Sequence, residues 1–125
     1  MILHIAARGD WDRAKAEGSY RLDSLETDGF IHCSTNSQAP RVADALFAGR
    51  RDLLLLCIDP SRLTSELRFE APAHPSDQDA PDERFPHIYG PIDLDAVVAV
   101  LDFPPDGVGH FRLPPEVGQL SPAPD

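Results

Sequence analysis

Three histidines of this chain stand in short runs whose composition is typical of strands. His4, His32 and His87 lie among apolar residues in the runs 1–7, 29–35 and 85–92. Because alternate side chains of a strand share a face, each run would turn an apolar face to a core and its imidazole to the other side. Three such strands could line one cleft with imidazole, hydroxyl and aromatic groups. The pattern indicates a site without naming its reaction.

Two of these histidines have a polar neighbour on the same strand face. Ser34 follows His32 by two residues, so the pair could hydrogen-bond a ligand hydroxyl group such as that of a ribose. Tyr89 follows His87 at the same spacing, and with Phe85 it could hold a planar ring. The competing interpretation, for all three histidines, is a buried ring satisfied by the protein itself beside an ordinary aromatic edge. The sequence leaves both interpretations open.

Glu70 is the carboxylate with the most structured surroundings. It lies in a predicted strand at residues 67–71, in which Phe69 is expected to face the core. Glu70 could act as a general base or accept a hydrogen bond from a ribose hydroxyl group. The alternative is an exposed strand carboxylate beside Arg68. We expect the acidic residues of the following loop to serve solvation only; they are Asp77, Asp79, Asp82 and Glu83.

Other chemistries find little support in the residue spacing. No closely spaced ligand pair of the C-x₂-C or H-x₃-H kind is present, so no metal site is predicted. Cys33 is expected to face the core, away from His32, which argues against a reactive thiolate. Ser34 lacks a G-x-S-x-G context, and no Gly-rich phosphate loop occurs. We predict that Cys33 and Cys57 are reduced, buried thiols.

Composition narrows the class of protein. A chain of 125 residues with 42% hydrophobic residues suits one globular domain. The 21 acidic and 11 basic residues give a net charge of −10, which argues against nonspecific nucleic-acid binding and against adsorption to anionic membranes. No apolar run approaches about 18 residues, and the start of the chain lacks the pattern of a secretory signal. We therefore expect a cytoplasmic protein.

The order of the predicted elements indicates an α+β fold with a mixed or antiparallel sheet and two short N-terminal helices. The first helix would begin at Asp10 and end at Gly18, and the second would span about residues 38–48. The run 52–59 is apolar throughout, as in a central strand buried on both faces. The other strands are predicted at 1–7, 29–35, 67–71, 85–92 and 96–103.

Two stretches are predicted to lie outside this framework. Residues 71–84 read as an exposed loop, which could close over the cleft as a lid. The domain is expected to span residues 1–103, followed by a loosely packed, Pro/Gly-rich tail at 104–125. His74 and His110 lie in Pro-rich stretches and are expected to be solvated.

The motifs together resemble a known family. They are Leu3-His4-Ile5, Trp11, Gly29-Phe30-Ile31-His32-Cys33-Ser34, the LLLLCID run, Phe69-Glu70 and Phe85-Pro86-His87-Ile88-Tyr89-Gly90-Pro91. In unbroken order over about residues 2–103, they are similar to the domain-of-unknown-function family 952 of small bacterial proteins. That family looks like a distant relative of the ADP-ribosyltransferase-like fold, in which two small sheets split around an NAD cleft.

The resemblance implies roles for individual residues. His4 matches the first-strand histidine that holds the adenosine-side ribose. His32, with Ser34, matches the second-strand position at the nicotinamide ribose, where the tRNA 2′-phosphotransferase branch also has a histidine. For the third position Glu70 competes with the strand of His87 and Tyr89, and the strand count favours the latter, which leaves the glutamate of the transferases missing.

The resemblance also implies a ligand and several functions. Arg8, Arg21 and Arg41 are the arginines available for a pyrophosphate, and Tyr89 would stack on nicotinamide. The leading hypothesis is an enzyme that uses NAD or ADP-ribose for glycosyl or 2′-phosphate transfer, or for hydrolysis, with His4, His32 and His87 as its catalytic histidines. The alternatives are a non-catalytic module that binds a nucleotide or metabolite, and a structural domain that binds a protein partner.

Overall fold

A computed structural model describes residues 1–73, 75 and 79–120. Within these residues, eight strands form three antiparallel sheets, and three α-helices join them. The strands are β1 (Ile2–Ala7), β2 (Ser19–Tyr20), β3 (Ile31–His32), β4 (Leu53–Ile58), β5 (Glu66–Glu70), β6 (Phe85–Tyr89), β7 (Ile92–Asp93) and β8 (Val97–Asp102). The helices are α1 (Arg8–Glu17), α2 (Ser24–Thr27) and α3 (Ala39–Leu46). The predicted α+β class with antiparallel sheets is confirmed.

The largest sheet has the order β1-β4-β8, so β4 is its central strand. All six residues of β4 are buried, as the continuous apolar run predicts. Its alternate side chains supply two separate cores. Leu54, Leu56 and Ile58 pack in one core, and Leu53, Leu55 and Cys57 pack in the other. His4 lies on β1 opposite Leu56, so its ring is on the side of the first core.

The second sheet has the order β3-β6-β5 and adjoins the first through the start of β1. Only two residues of the predicted run 29–35 form the strand β3. The chain then changes partners: the backbone N–H of Cys33 donates to Pro86 in β6, whereas Ser34 exchanges both backbone hydrogen bonds with Leu3 in β1. One short segment thus bridges the two sheets, and the prediction of a single seven-residue strand is wrong.

The helices depart from the predicted boundaries in small ways. Helix α1 begins at Arg8, with Ala7 in the N-cap position instead of Asp10. It ends as predicted at Gly18, whose φ of 90° allows the left-handed turn. The helix α2 was not predicted, because four residues carry too little periodicity. No helix in the described part of the chain has both the length and the apolar character to span a bilayer.

The segment that follows β8 is packed, in contrast to the loose tail predicted from its composition. Phe111 and Val117 are buried in the second core, and the Phe111 ring contacts Phe103. The backbone N–H of Phe111 donates to Asp44 on α3. Proline and glycine residues determine the backbone conformation of this segment, and a few apolar side chains pack it against the core. Residues 121–125 lie outside the described residues.

Candidate functional site

A cavity of about 390 Å³ opens between the two larger sheets and α3. Its volume is in the range of small-molecule sites, about 300–1,000 Å³. Side chains of α3 and of the segment after it form an apolar wall; they include Val42, Leu46 and Phe47. The three strand histidines and Ser34 lie on the same lining. The tertiary structure therefore brings together His4, His32, Ser34 and His87.

His32 and His87 are direct partners in the pairing of β3 with β6. Their ring centroids lie 5.7 Å apart, with the rings nearly perpendicular. His87 is almost fully buried, whereas about a third of the His32 side chain is exposed. Side chains at opposed positions of an antiparallel pair project on the same face, so both imidazoles face one space.

Each of these two imidazoles is oriented by its own carboxylate. Asp28 accepts a hydrogen bond from Nε2 of His32 at 2.7 Å. Glu70 accepts one from Nδ1 of His87 at 2.9 Å. A carboxylate that accepts a hydrogen bond from one ring nitrogen fixes the orientation of the ring. Within the described residues, no hydrogen bond is made by Nε2 of His87, so this nitrogen is available to a ligand.

Glu70 also accepts a hydrogen bond from the Tyr89 hydroxyl group, at 2.5 Å and to the same oxygen, Oε1. This bond is the main reason that the pKa of Glu70 is lowered, with His87 as the second cause. The same bond raises the pKa of Tyr89, because it favours the protonated phenol. Glu70 and the strand of His87 are the two candidates for the third ligand-facing position. The strand of His87 lines the cavity, and Glu70 contacts the ring of His87.

Tyr89 does not take the position expected of a stacking platform. Among the described residues, the cavity lining includes Phe85 but not Tyr89. The Arg68 guanidinium instead lies over the Tyr89 ring, 4.4 Å from its centroid. Phe69, expected in the core, is 48% exposed, because β5 is an edge strand and that face is not covered.

Phe30 is an aromatic side chain that lies against both histidines. Its ring stacks on His87 with centroids 4.0 Å apart and a tilt of 17°, and it contacts His32 at 4.7 Å. Phe30 and Asp28 contact the two histidines, and the sequence analysis did not single them out as site residues. Phe30 shares the strand face of His32, which could have indicated it; for Asp28 the only signal was its spacing of four residues from His32.

His4 is buried, and both of its ring nitrogens are used by the protein. Nδ1 lies 2.7 Å from the backbone carbonyl of His32, and Nε2 lies 2.9 Å from the hydroxyl group of Tyr20. Since a carbonyl only accepts, Nδ1 carries the proton, and the Tyr20 hydroxyl donates to Nε2. Burial lowers the pKa of His4 to about 4. His4 is thus a neutral ring that holds the backbone of His32.

Two of the three arginines proposed for a pyrophosphate lie away from the cavity. Arg8 pairs with Asp102, and Arg21 lines a separate surface depression. Arg41 does line the cavity, and it pairs with Asp79 and Glu83. Both carboxylates are mostly buried, so the expectation that they only solvate the loop is wrong.

Arg50 is a second cavity arginine, which the sequence reasoning missed. It forms two hydrogen bonds with Asp52. His110, expected to be solvated, is largely exposed, with one nitrogen 3.6 Å from Asp44. His74 and Asp77 lie outside the described residues, as does part of the loop proposed as a lid.

The cysteines are free and buried, as predicted. Burial raises the pKa of both thiols, that of Cys57 to about 11, so neither is a thiolate near neutral pH. Cys33 belongs to the first core, although its segment also borders the cavity. Among the residues described, no group of three or more His, Cys, Asp or Glu side chains could hold a metal ion.

Comparison with known proteins places this site in a family. No curated protein matches the chain. Crystal structures of the protein CC0527 from Caulobacter crescentus are similar, with 34% identity for one and 33% for a double mutant. Each match covers 90% of this chain and 93% of the CC0527 chain, with a TM-score of 0.75. The solution NMR structure of CC0527 has 30% identity, covers 96% of both chains and has a TM-score of 0.64.

The family match covers most of the fold described above. The family described as "Protein of unknown function (DUF952)" matches residues 5–100, from the middle of β1 to the middle of β8. This range contains His32, His87, Glu70 and all of α3. The chain therefore belongs to the DUF952 family.

Proposed function

We propose that this protein is an enzyme that binds NAD or another ADP-ribose compound in the cavity and acts on its ribose. The observation that carries the proposal is the pair of imidazoles, His32 and His87, on one cavity wall, each hydrogen-bonded to a carboxylate. Such a pair can hold sugar hydroxyl groups and transfer protons.

The placement of the histidines along the strands also supports this proposal. The ADP-ribosyltransferase-like fold implies one ligand-facing position on a first strand, a second strand and a later strand, around a cleft between two small sheets. His32 on β3 and His87 on β6 lie on the cavity lining in that order, whereas His4 on β1 has both ring nitrogens bonded within the protein. The two sheets adjoin between β1 and β3, where Leu3 pairs with Ser34. This likeness and the size of the cavity favour NAD as the ligand.

The chain's own residues suggest how such a reaction would proceed. In NAD the bond between the ribose and nicotinamide breaks, and its electron pair leaves with the nicotinamide ring. Positive charge then develops on the ribose. Water or an acceptor hydroxyl group attacks the same carbon, and its proton passes to Nε2 of His87. The Glu70 carboxylate, 2.9 Å from Nδ1, stabilises the imidazolium so formed.

His4 has a different role in this proposal from the one that the resemblance implies. With both nitrogens bonded to Tyr20 and to the carbonyl of His32, it has no free group for a ribose. We assign it the role of a positioning residue, which fixes the backbone from which the His32 ring projects. His32, His87 and Ser34 are then the ligand-facing residues, and Glu70 and Tyr89 act through His87.

The first test is thermal unfolding of the protein with NAD, ADP-ribose, AMP, nicotinamide and zinc ions. A ligand at about 100 times its Kd should stabilise the folded state by about 2.7 kcal/mol, which is several degrees for a domain of this size. We expect a shift with NAD or ADP-ribose, followed by release of nicotinamide or another product. No shift with any nucleotide would contradict the proposal and favour a domain that binds a protein partner.

Variants separate an enzyme from a binding module. His32→Ala and His87→Asn should abolish turnover while the protein remains folded. His110→Ala is the matched control, because His110 is exposed and does not line the cavity. Saturable binding of ADP-ribose with no product from the wild type would instead show a non-catalytic module.

A further inference from the structure

Arg41 is a cavity arginine that has an ion-pair partner, Asp79, on the cavity lining as well. It projects from α3, with a side chain that is 27% exposed, and its two terminal nitrogens bind different carboxylates. Nη1 donates to Asp79 at 2.9 Å, and Nη2 donates to Glu83. Arg50 differs, because its partner Asp52 is not part of the described cavity lining, whereas Asp79 is.

The two carboxylates have different surroundings. Glu83 also accepts hydrogen bonds from the Gln38 side chain and from the backbone N–H of Ala80. Gln38 is itself buried and bonds the carbonyl of Arg84. The pKa of Glu83 is lowered, chiefly by Arg41. Glu83 therefore fastens its segment to the start of α3, which explains its contact with Arg41 without any ligand.

Asp79 is the carboxylate that shares the cavity wall with Arg41. Guanidinium groups bind carboxylate and phosphate oxygens with the same fork geometry. An oxygen of Asp79 thus occupies a position on Arg41 that a phosphate oxygen could take. We propose that Arg41 is an anion subsite of the cavity, for a phosphate or pyrophosphate group of the ligand, and that Asp79 is a built-in competitor which this group displaces.

This inference deepens the proposed function, since it assigns the phosphate end of the ligand whose ribose lies at His32 and His87. It also explains why an acidic side chain, that of Asp79, is mostly buried in a cavity that binds an anion. While no ligand is bound, both Asp79 and Glu83 pair with Arg41. On binding, the phosphate takes over the hydrogen bond to Nη1 and the aspartate returns to water. Affinity for the anion is then set partly by the strength of the Arg41–Asp79 pair.

The test is isothermal titration calorimetry with inorganic pyrophosphate, which has no ribose. Asp79→Asn should tighten pyrophosphate binding by about fivefold, because it removes the competing charge. Asp82→Asn makes the same charge change at an exposed position three residues away and should leave the Kd unchanged. Arg41→Gln should weaken binding by about tenfold or more. If Arg41→Gln does not fold, Arg41→Lys should still weaken it, because lysine lacks the fork.

Any of three results would overturn the inference. In the first, Asp79→Asn binds pyrophosphate no more tightly than the wild type. In the second, Asp82→Asn tightens binding equally, and in the third, no variant binds pyrophosphate at all. Failure here is distinct from failure of the proposed function. Loss of turnover in His87→Asn with no effect of Asp79→Asn would refute the subsite alone. Tighter pyrophosphate binding by Asp79→Asn, with neither NAD nor ADP-ribose bound, would refute the substrate and keep the subsite.

Discussion

His32 and His87 face each other across the β3–β6 pair with ring centroids 5.7 Å apart, although 54 positions separate them in the chain. Each ring takes its carboxylate from a different element: Asp28 follows α2, and Glu70 ends β5. The ring of Phe30 lies against both. Two independently oriented imidazoles on one wall can act as separate proton donor and acceptor.

Glu70→Gln should lower kcat by at least about tenfold and change KM little, because the amide keeps the shape of the side chain but removes the charge behind His87. Steady-state kinetics on the substrate identified by the unfolding screen would measure this. Glu17→Gln, at the exposed end of α1, is the control. An unchanged kcat in Glu70→Gln would show that this carboxylate has no part in the reaction.

His4 should make the protein less stable below pH 6.5. Burial lowers the pKa of His4 to about 4, so as the pH falls the unfolded chain is protonated first. The free energy of unfolding should drop by about 3 kcal/mol from this group between pH 6.5 and pH 4. Urea unfolding of the wild type and of His4→Gln over this range would measure it.

The informative quantity is the difference between those two proteins. Carboxylates with lowered pKa values, such as Glu83, lose stabilising charge at low pH in both of them, so their contribution cancels. The stability advantage of the wild type should shrink as the pH falls. A constant advantage would mean that His4 keeps an ordinary pKa.

Tyr20→Phe should destabilise the fold by about 1–3 kcal/mol, because Nε2 of His4 is left buried without its donor. Chemical unfolding at pH 7 would measure the loss. Tyr89→Phe removes a hydroxyl group from a more exposed ring and should cost less. Equal losses in the two variants would argue against the buried Tyr20–His4 bond.

Gly90→Ala should destabilise the protein by about 1–3 kcal/mol. Gly90 has a φ of 150°, and an added Cβ would collide with the Ser65 side chain, whose hydroxyl group donates to the carbonyl of Pro91. The double variant Gly90→Ala with Ser65→Ala should recover part of the loss, since it removes the collision but not the strain. Gly118→Ala, where a Cβ has open space, is the control.

Leu56→Ala should cost about 2–5 kcal/mol, because Leu56 is fully buried at the centre of β4. Its register partner on β8, Val100, is 38% exposed, so Val100→Ala should cost clearly less. Thermal or urea unfolding of both variants would compare them. Similar losses would contradict the assignment of β4 as the buried centre of the sheet.

The amino-acid sequence by itself determined the parts of the fold that depend on local periodicity. The apolar run 52–59 was predicted as a central strand and forms β4, and Gly18 ends α1 as predicted. The family likeness followed from ordered motifs around His32 and His87. Each of these features is fixed by residues that are near one another in the chain, so a linear reading can find them.

Only the tertiary structure decided which groups each histidine meets. Glu70 and Tyr20, which bind His87 and His4, come from other elements, and no periodicity relates them to their partners. Asp28 lies only four residues before His32, in the loop after α2. The split of the run 29–35 between two sheets, and the burial of Asp79 and Glu83 beside Arg41, likewise depend on long-range packing. A sequence pattern shows which face a side chain shares, whereas its partner is set by the elements that fold against that face.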